Sequence, residues 1–173
     1  MFQLRVTGKQ WEHACRVAPS VMCYEEQKGI IHYNEGEEYY QMNALAEIVI
    51  KQALLKAYPC MNVRLPDWQP NAGYDININR YLINIKCLKN ENRPTRDYKH
   101  NLDVRQIKNK ATALLFSTYD KEAKTIYVCG WLDIFMFEIT AERSGAGNND
   151  ILQITQHQLR PLNDIHDIKN ISL

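Results

Sequence analysis

The sequence predicts a mixed α/β (α+β) domain. Three observations carry that expectation. Residues 44–58 are mostly good helix formers, with Asn43 as a candidate N-cap and Pro59 behind them. Residues 74–78 and 81–87 alternate apolar and polar side chains on either side of Asn79-Arg80, the pattern of a strand pair. Residues 113–119 and 125–129 are two more apolar strands, joined by a polar link at 120–124. The order is helix, strand, strand, helix, strand, strand, short helix. It lacks the regular alternation of a wholly parallel fold.

The remaining elements follow from local chemistry. Residues 2–6 alternate and predict a short strand. Residues 8–17 predict a helix that Pro19 stops. Within the helix over 44–58, Leu45, Ile48, Val49, Gln52 and Leu55 share one side, while Leu54 and Tyr58 lie on another with Ala44 and Glu47. A helix apolar on more than one side is covered on both, so Glu47 is expected to be withdrawn from water. Residues 60–73 contain Pro66, Pro70 and Gly73 and predict a loop. Residues 102–110 predict a short helix, Gly130 a break, 131–137 a helical turn, 142–150 a loop and 151–162 a late strand.

A chain of 173 residues, 45% of them hydrophobic, can bury a core without disulfides or metal staples. It predicts one unit over 1–173, with N-terminal elements at 1–42, a core at 43–137 and a C-terminal extension at 138–173. Lys and Arg number 21 against 20 acidic residues, so the net charge of +1 excludes a bulk polycation but not a local basic groove. No apolar run approaches the ~20 residues of a membrane span. The first residues lack the apolar stretch of a signal peptide. A cytoplasmic location with no membrane partner is therefore expected. Cys15, Cys23, Cys60, Cys87 and Cys129 are odd in number and form no C-x-x-C pair, which predicts reduced, structural thiols.

The strand pair carries the candidate chemistry. If Asn79-Arg80 form a two-residue turn, 78 faces 81, 77 faces 82 and 76 faces 83. Asp75 then sits opposite Asn84, with Cβ atoms about 5 Å apart. Asn84 and Lys86 share a face because strand side chains alternate. Ile76, Ile78, Tyr81, Ile83 and Ile85 take the other face and predict a core. A longer turn would shift the register but not the parity of 84 and 86. Plainer readings stand beside this one. Glu47 can pair with Lys51 one helical turn on. Asp75 can cap a turn, and Asn84 and Lys86 can be the wet face of a hairpin.

Glu47 on a helix, Gly73-Tyr74-Asp75 opening a strand, Ile83-Asn84-Ile85-Lys86 closing its partner, and two apolar strands ending in Val128-Cys129-Gly130-Trp131 resemble the PD-(D/E)xK nuclease superfamily. The resemblance spans residues 43–137 and implies a restriction-endonuclease-like fold, a central mixed β-sheet flanked by helices. It implies a nuclease that hydrolyses phosphodiester bonds by in-line attack of a water on Mg²⁺, for which Mn²⁺ can substitute. Asp75 would be the main metal ligand. Glu47 would bind the metal directly or through water, and Asn84 occupies the family's second acidic position. The backbone carbonyl of Ile85 would be a further ligand, and Lys86 would orient or activate the water. Hard oxygen donors suit Mg²⁺, and a lysine supplies charge where the phosphate becomes more negative.

Asn84 departs from the family pattern because it brings no charge, so metal affinity is expected to fall. The alternative is an inactive protein of the same fold that binds nucleic acid or a protein partner. Pro66-Asp67 matches the family's first motif literally, but it lies in a Pro-rich stretch, and Asp75 is preferred. Residues 86–110 hold eight basic residues against three acidic ones. Lys89, Arg93, Arg96, Lys99, Arg105, Gln106 and Lys108 are the candidate nucleic-acid contacts there. The resemblance puts DNA ahead of RNA as substrate. Gln106 has no Tyr four residues on, since position 110 is Lys, which favours an endonuclease. Relatives that cut both strands dimerise, so the resemblance also implies a homodimer. The five histidines are dispersed, Glu25-Glu26 is expected at the surface, and no Gly-rich phosphate loop or nucleophile elbow is present.

Overall fold

A six-stranded mixed sheet organises the chain. The computed structural model describes residues 1–27, 36–57, 63–64, 73–78, 81–89, 92–143 and 151–162. In chain order the elements are β1 (Phe2–Arg5), α1 (Gly8–Gln27), α2 (Glu37–Ala57), β2 (Val63–Arg64), β3 (Ile76–Ile78), β4 (Tyr81–Lys89), β5 (Lys99–Asp103), β6 (Ala113–Asp120), β7 (Thr125–Asp133), α3 (Ile134–Thr140), β8 (Glu142–Arg143) and β9 (Ile151–Thr155). Single 3₁₀ turns follow β5 at Val104–Gln106 and β9 at Gln156–Gln158. The large sheet runs β1-β7-β6-β4-β3-β2, and a second sheet runs β5-β9-β8. Strands β2, β3 and β4 are antiparallel, β4 and β6 are parallel, and β6 and β7 are antiparallel.

Strand β6 is buried at every residue because both faces of the sheet are covered. On one face Leu115, Ile83, Ile85, Ile76 and Ile78 pack with Leu45, Ile48 and Val49 of α2. On the other, Leu114 and Phe116 pack with Leu102 of β5, Ile154 of β9 and Phe137 of α3. The alternation 114/115/116 thus splits one strand between two cores. Asp133 caps α3 by accepting from the Met136 N–H at 2.7 Å. Among the described residues no helix is long and apolar enough to cross a membrane.

Several expectations are met. Register 76–83, 77–82 and 78–81 is observed, and Cys87 lies on the core side. Glu47 is largely withdrawn from water and does pair with Lys51, at 3.2 Å. Cys15, Cys23, Cys87 and Cys129 carry free thiols, and burial pushes both Cys87 and Cys129 up to about 12.

Other expectations are corrected. Helix α1 does not stop at Pro19 but runs through it to Gln27. Tertiary packing along α2, with Ala14 and Ala18 wholly buried, outweighs the one backbone bond that proline removes. The second helix begins at Glu37 rather than after Asn43. Residues 102–110 are not an α-helix. They are the end of β5 and one 3₁₀ turn, capped by Asp103, whose carboxylate accepts from the Arg105 N–H at 2.9 Å. Gly130 does not end β7. Its φ of 152° accompanies a register shift at Phe116/Ser117, and the strand resumes to Asp133. The Asn79-Arg80 turn, Pro66-Asp67, Pro59 and Cys60 lie outside the described residues, as does most of the 142–150 loop.

Candidate active site

The edge of β4 makes the site. Strand β3 pairs with β4 only as far as the bond from the Asp75 N–H to the Ile83 carbonyl, at 2.8 Å. Beyond it, the N–H groups of Ile85 and Cys87 point off the sheet edge. Side chains take both. Asp75 Oδ2 accepts from the Ile85 N–H at 2.7 Å, and Asn43 Oδ1 of α2 accepts from the Cys87 N–H at 3.1 Å. A strand residue turns its N–H and C=O to the same edge, so the Ile85 carbonyl also leaves on this side.

Five segments of the chain converge here. Asn84 Nδ2 donates to Asp75 Oδ2 at 2.7 Å, as the strand register predicts. The backbone N–H of Lys108, beyond the 3₁₀ turn, donates to Asn84 Oδ1 at 3.2 Å, and its ammonium donates to Asp75 Oδ1. Glu47 reaches the same cleft from α2 and Glu25 from α1. Lys86 lines it from β4, with Tyr39, Tyr40 and Asn43 alongside. The Asp75 side chain is only 1% exposed. The cavity holds about 30 Å³. Since ~10–15 Å³ is the least that admits one water, it has room for about two or three water-sized groups and none for a nucleotide.

No protein-family model matches this chain. No curated protein matches it either. The chemistry therefore rests on the residues.

Electrostatics sort those residues. Burial pushes the Glu47 carboxyl up to about 7, the neighbouring Asp75 charge adds to this, and Lys108 and Lys51 offset only part. Burial acts upward on Asp75 too, but the Lys108 charge and the hydrogen bonds from Lys108, Asn84 and Ile85 outweigh it and hold its carboxyl down at about 2. Burial brings Lys86 down to about 8, against the pull of Asp75, Glu25 and Glu47. Burial would also lower Lys108, yet Asp75 and Glu47 hold its ammonium above the usual lysine range. Near neutral pH the cleft thus holds a firm Asp75–Lys108 ion pair, a Glu47 carboxyl close to its midpoint and a lysine with a depressed pKa. Such a grouping in a cleft points to chemistry.

The donor set fits a hard divalent cation in two carboxylates and a carbonyl. The Asp75 charge raises the proton affinity of the neighbouring Glu47, the situation a cation relieves. The Ile85 carbonyl adds a neutral oxygen. Among the described residues, however, no group of three or more His, Cys, Asp or Glu side chains is placed to hold a metal. Asn84 turns its NH₂ toward Asp75 and its oxygen toward Lys108, so it orients the aspartate.

The candidate nucleic-acid contacts separate. Lys108 is turned inward on Asp75. Arg105 lies on Asp103, its Nε donating at 2.9 Å, and Lys89 pairs with Glu38 at 3.5 Å. Arg93, Arg96 and Lys99 are exposed on the way into the second sheet. Gln106 ends the 3₁₀ turn, and its side chain is outside the described residues. Glu25 is the site residue that sequence reasoning misses. Ala14, Ala18, Val21 and Glu25 are spaced 4, 3 and 4 apart, one face of a helix, but the signal is lost once Pro19 is taken as the stop.

Proposed function

We propose that the protein is a metal-dependent nuclease on a restriction-endonuclease-like core, with DNA ahead of RNA as its substrate. One observation carries the reading. Glu47 of α2 and the β4 residues Asn84 and Lys86 line one cleft at the open edge of β4, and Asp75, just ahead of β3, is hydrogen-bonded to Asn84 beside it. Glu47, Asp75 and the Ile85 carbonyl would hold Mg²⁺ or Mn²⁺. The bound cation supplies neutralisation of the phosphodiester charge and acidification of a water. The residues do the rest. Asn84 and the Ile85 N–H fix the Asp75 carboxylate, so it need not reorganise. Glu47, whose carboxyl burial and the Asp75 charge push up to about 7, would be held ionised by the cation at neutral pH. Lys86 stabilises charge on the phosphate and can transfer a proton near pH 8. The cavity is too small for a nucleotide, so the scissile phosphate would meet the site at its mouth.

One observation favours a second reading. The Lys108 ammonium already neutralises Asp75. An inactive protein of this fold that binds nucleic acid or a protein partner would have the same arrangement. Cleavage of supercoiled plasmid, single-stranded DNA and RNA with Mg²⁺ or Mn²⁺ separates the two. Metal-dependent cleavage that Lys86→Ala loses supports the nuclease. No cleavage of any substrate by pure protein supports the binding role.

A further inference from the structure

Lys108 sits where a cation is wanted. Asp75 Oδ2 is committed, since it accepts from both Asn84 Nδ2 and the Ile85 N–H at 2.7 Å. Only Oδ1 remains for a positive charge, and the Lys108 ammonium is on it. The root of Lys108 is fixed. Its own N–H is held by Asn84 Oδ1, and the Lys110 N–H bonds the Gly73 carbonyl at 3.1 Å. The side chain is not fixed in the same way. It is 28% exposed, and it lines the cleft with Lys86 and Glu47. Its four-carbon stem can therefore swing the ammonium toward the mouth without moving the backbone.

From this geometry we propose that Lys108 and a divalent cation compete for Asp75, so that metal binding displaces the Lys108 ammonium to the mouth of the cleft, where it meets the substrate phosphate. The inference rests on the nuclease reading and adds a regulatory step to it. Two cations on one carboxylate oxygen repel, so one leaves. A lysine released next to a phosphodiester becomes a phosphate contact. The site thus stays neutralised without metal and gains a substrate-binding charge when metal arrives.

Calorimetric titration of Mn²⁺ at pH 8 tests the competition in wild type, Lys108→Met, Lys108→Gln and Asp75→Asn. The glutamine variant keeps an amide donor for Asp75 in case the methionine variant folds poorly. Removing the competing ammonium is expected to tighten Mn²⁺ binding by about tenfold or more. Asp75→Asn is expected to abolish it. Reductive methylation of the wild type, read by mass spectrometry, gives an independent measure. Lys108 is expected to react slowly without metal and faster with Mn²⁺, while exposed Lys110 is unchanged. If wild type binds Mn²⁺ but neither Lys108 variant binds more tightly and Lys108 labelling does not rise, the displacement is wrong and the metal site stands. If no protein binds Mn²⁺, the metal site falls and takes the displacement with it.

Discussion

Asp75 beside β4 and His100 on β5 are both nearly out of water, 2% and 0% exposed. Their surroundings differ. Asp75 keeps its charge, set against a lysine, an amide and a backbone N–H. His100 does not. Its Nε2 lies 2.8 Å from Gln156 Oε1, and Gln156 spends its own NH₂ on the Cys129 carbonyl at 2.8 Å. Gln156 can therefore only accept from the ring, which puts the proton on Nε2. Nδ1 is left with no hydrogen-bond partner among the described residues, and the ring packs against Tyr98 and Phe116 at 4.8 and 5.4 Å. Burial drives His100 down to about 4. A neutral buried ring is an ordinary part of a core. Buried charges cost more to keep, so a cleft that keeps several is the better candidate for chemistry.

Breaking each cluster gives the largest contrast. Asp75→Ala leaves the Lys108 ammonium, the Asn84 amide and the Ile85 N–H without their acceptor. Losing one partner of a buried ion pair costs about 3–5 kcal/mol. His100→Phe leaves only the Gln156 oxygen unpaired, for a cost of about 1–3 kcal/mol. Urea unfolding of both variants measures the gap. Equal losses would mean that the charges around Asp75 carry no special weight.

Acid titration is the next contrast, because the clusters have opposite signs. His100 has a folded pKa of about 4 against 6.5 unfolded. The unfolded chain binds its proton first, so stability is lost as pH falls from 6.5 toward 4, by at most about 3 kcal/mol. Glu47 has a folded pKa of about 7 against 4.5. It stabilises fully below 4.5, and that contribution is lost as pH rises through 7. The two oppose each other between 7 and 4.5, and the wild-type melting temperature is expected to change little there. His100→Gln is expected to gain stability on acidification. Glu47→Gln is expected to lose it. Differential scanning calorimetry across this range shows whether the curves diverge. Mn²⁺ at pH 8 is expected to raise the wild-type melting temperature and to leave Asp75→Asn unmoved.

The contrast also tracks what the sequence makes legible. The Asp75–Asn84 register follows from alternation and a short turn, both local signals. Burial of Glu47 follows from a helix apolar on two sides. Glu25 is hidden by Pro19, a strong local breaker that α1 overrides through long-range packing on α2. Lys108 is hidden for a different reason. Its approach to Asp75 depends on the parallel pairing of β4 with β6 across a crossover, which no periodicity encodes. The His100 cluster depends on β5 pairing with β9, more than fifty residues on, and residues 102–110 look helical in isolation.

The smallest expected effect tests whether the cleft depends on how closely its backbones approach. Gly73 has a φ of 76°, and a Cβ there would lie 2.6 Å from Asn109 Oδ1 and 2.9 Å from Lys110 Cγ. Gly73→Ala therefore meets both a disfavoured conformation and a clash, for a loss of about 1–2 kcal/mol. The clash falls on Asn109 and Lys110, next to Lys108, and is expected to loosen the Lys108–Asp75 pair. Asp75 then loses the charge that holds its carboxyl at about 2. Acid unfolding of the variant is expected to begin at higher pH below 4, where protonation of Asp75 sets the limit. The limb between 6.5 and 4 belongs to His100, on β5 of the second sheet, and is expected to stay as in wild type. A variant that moved both limbs equally would show that the two clusters are not independent.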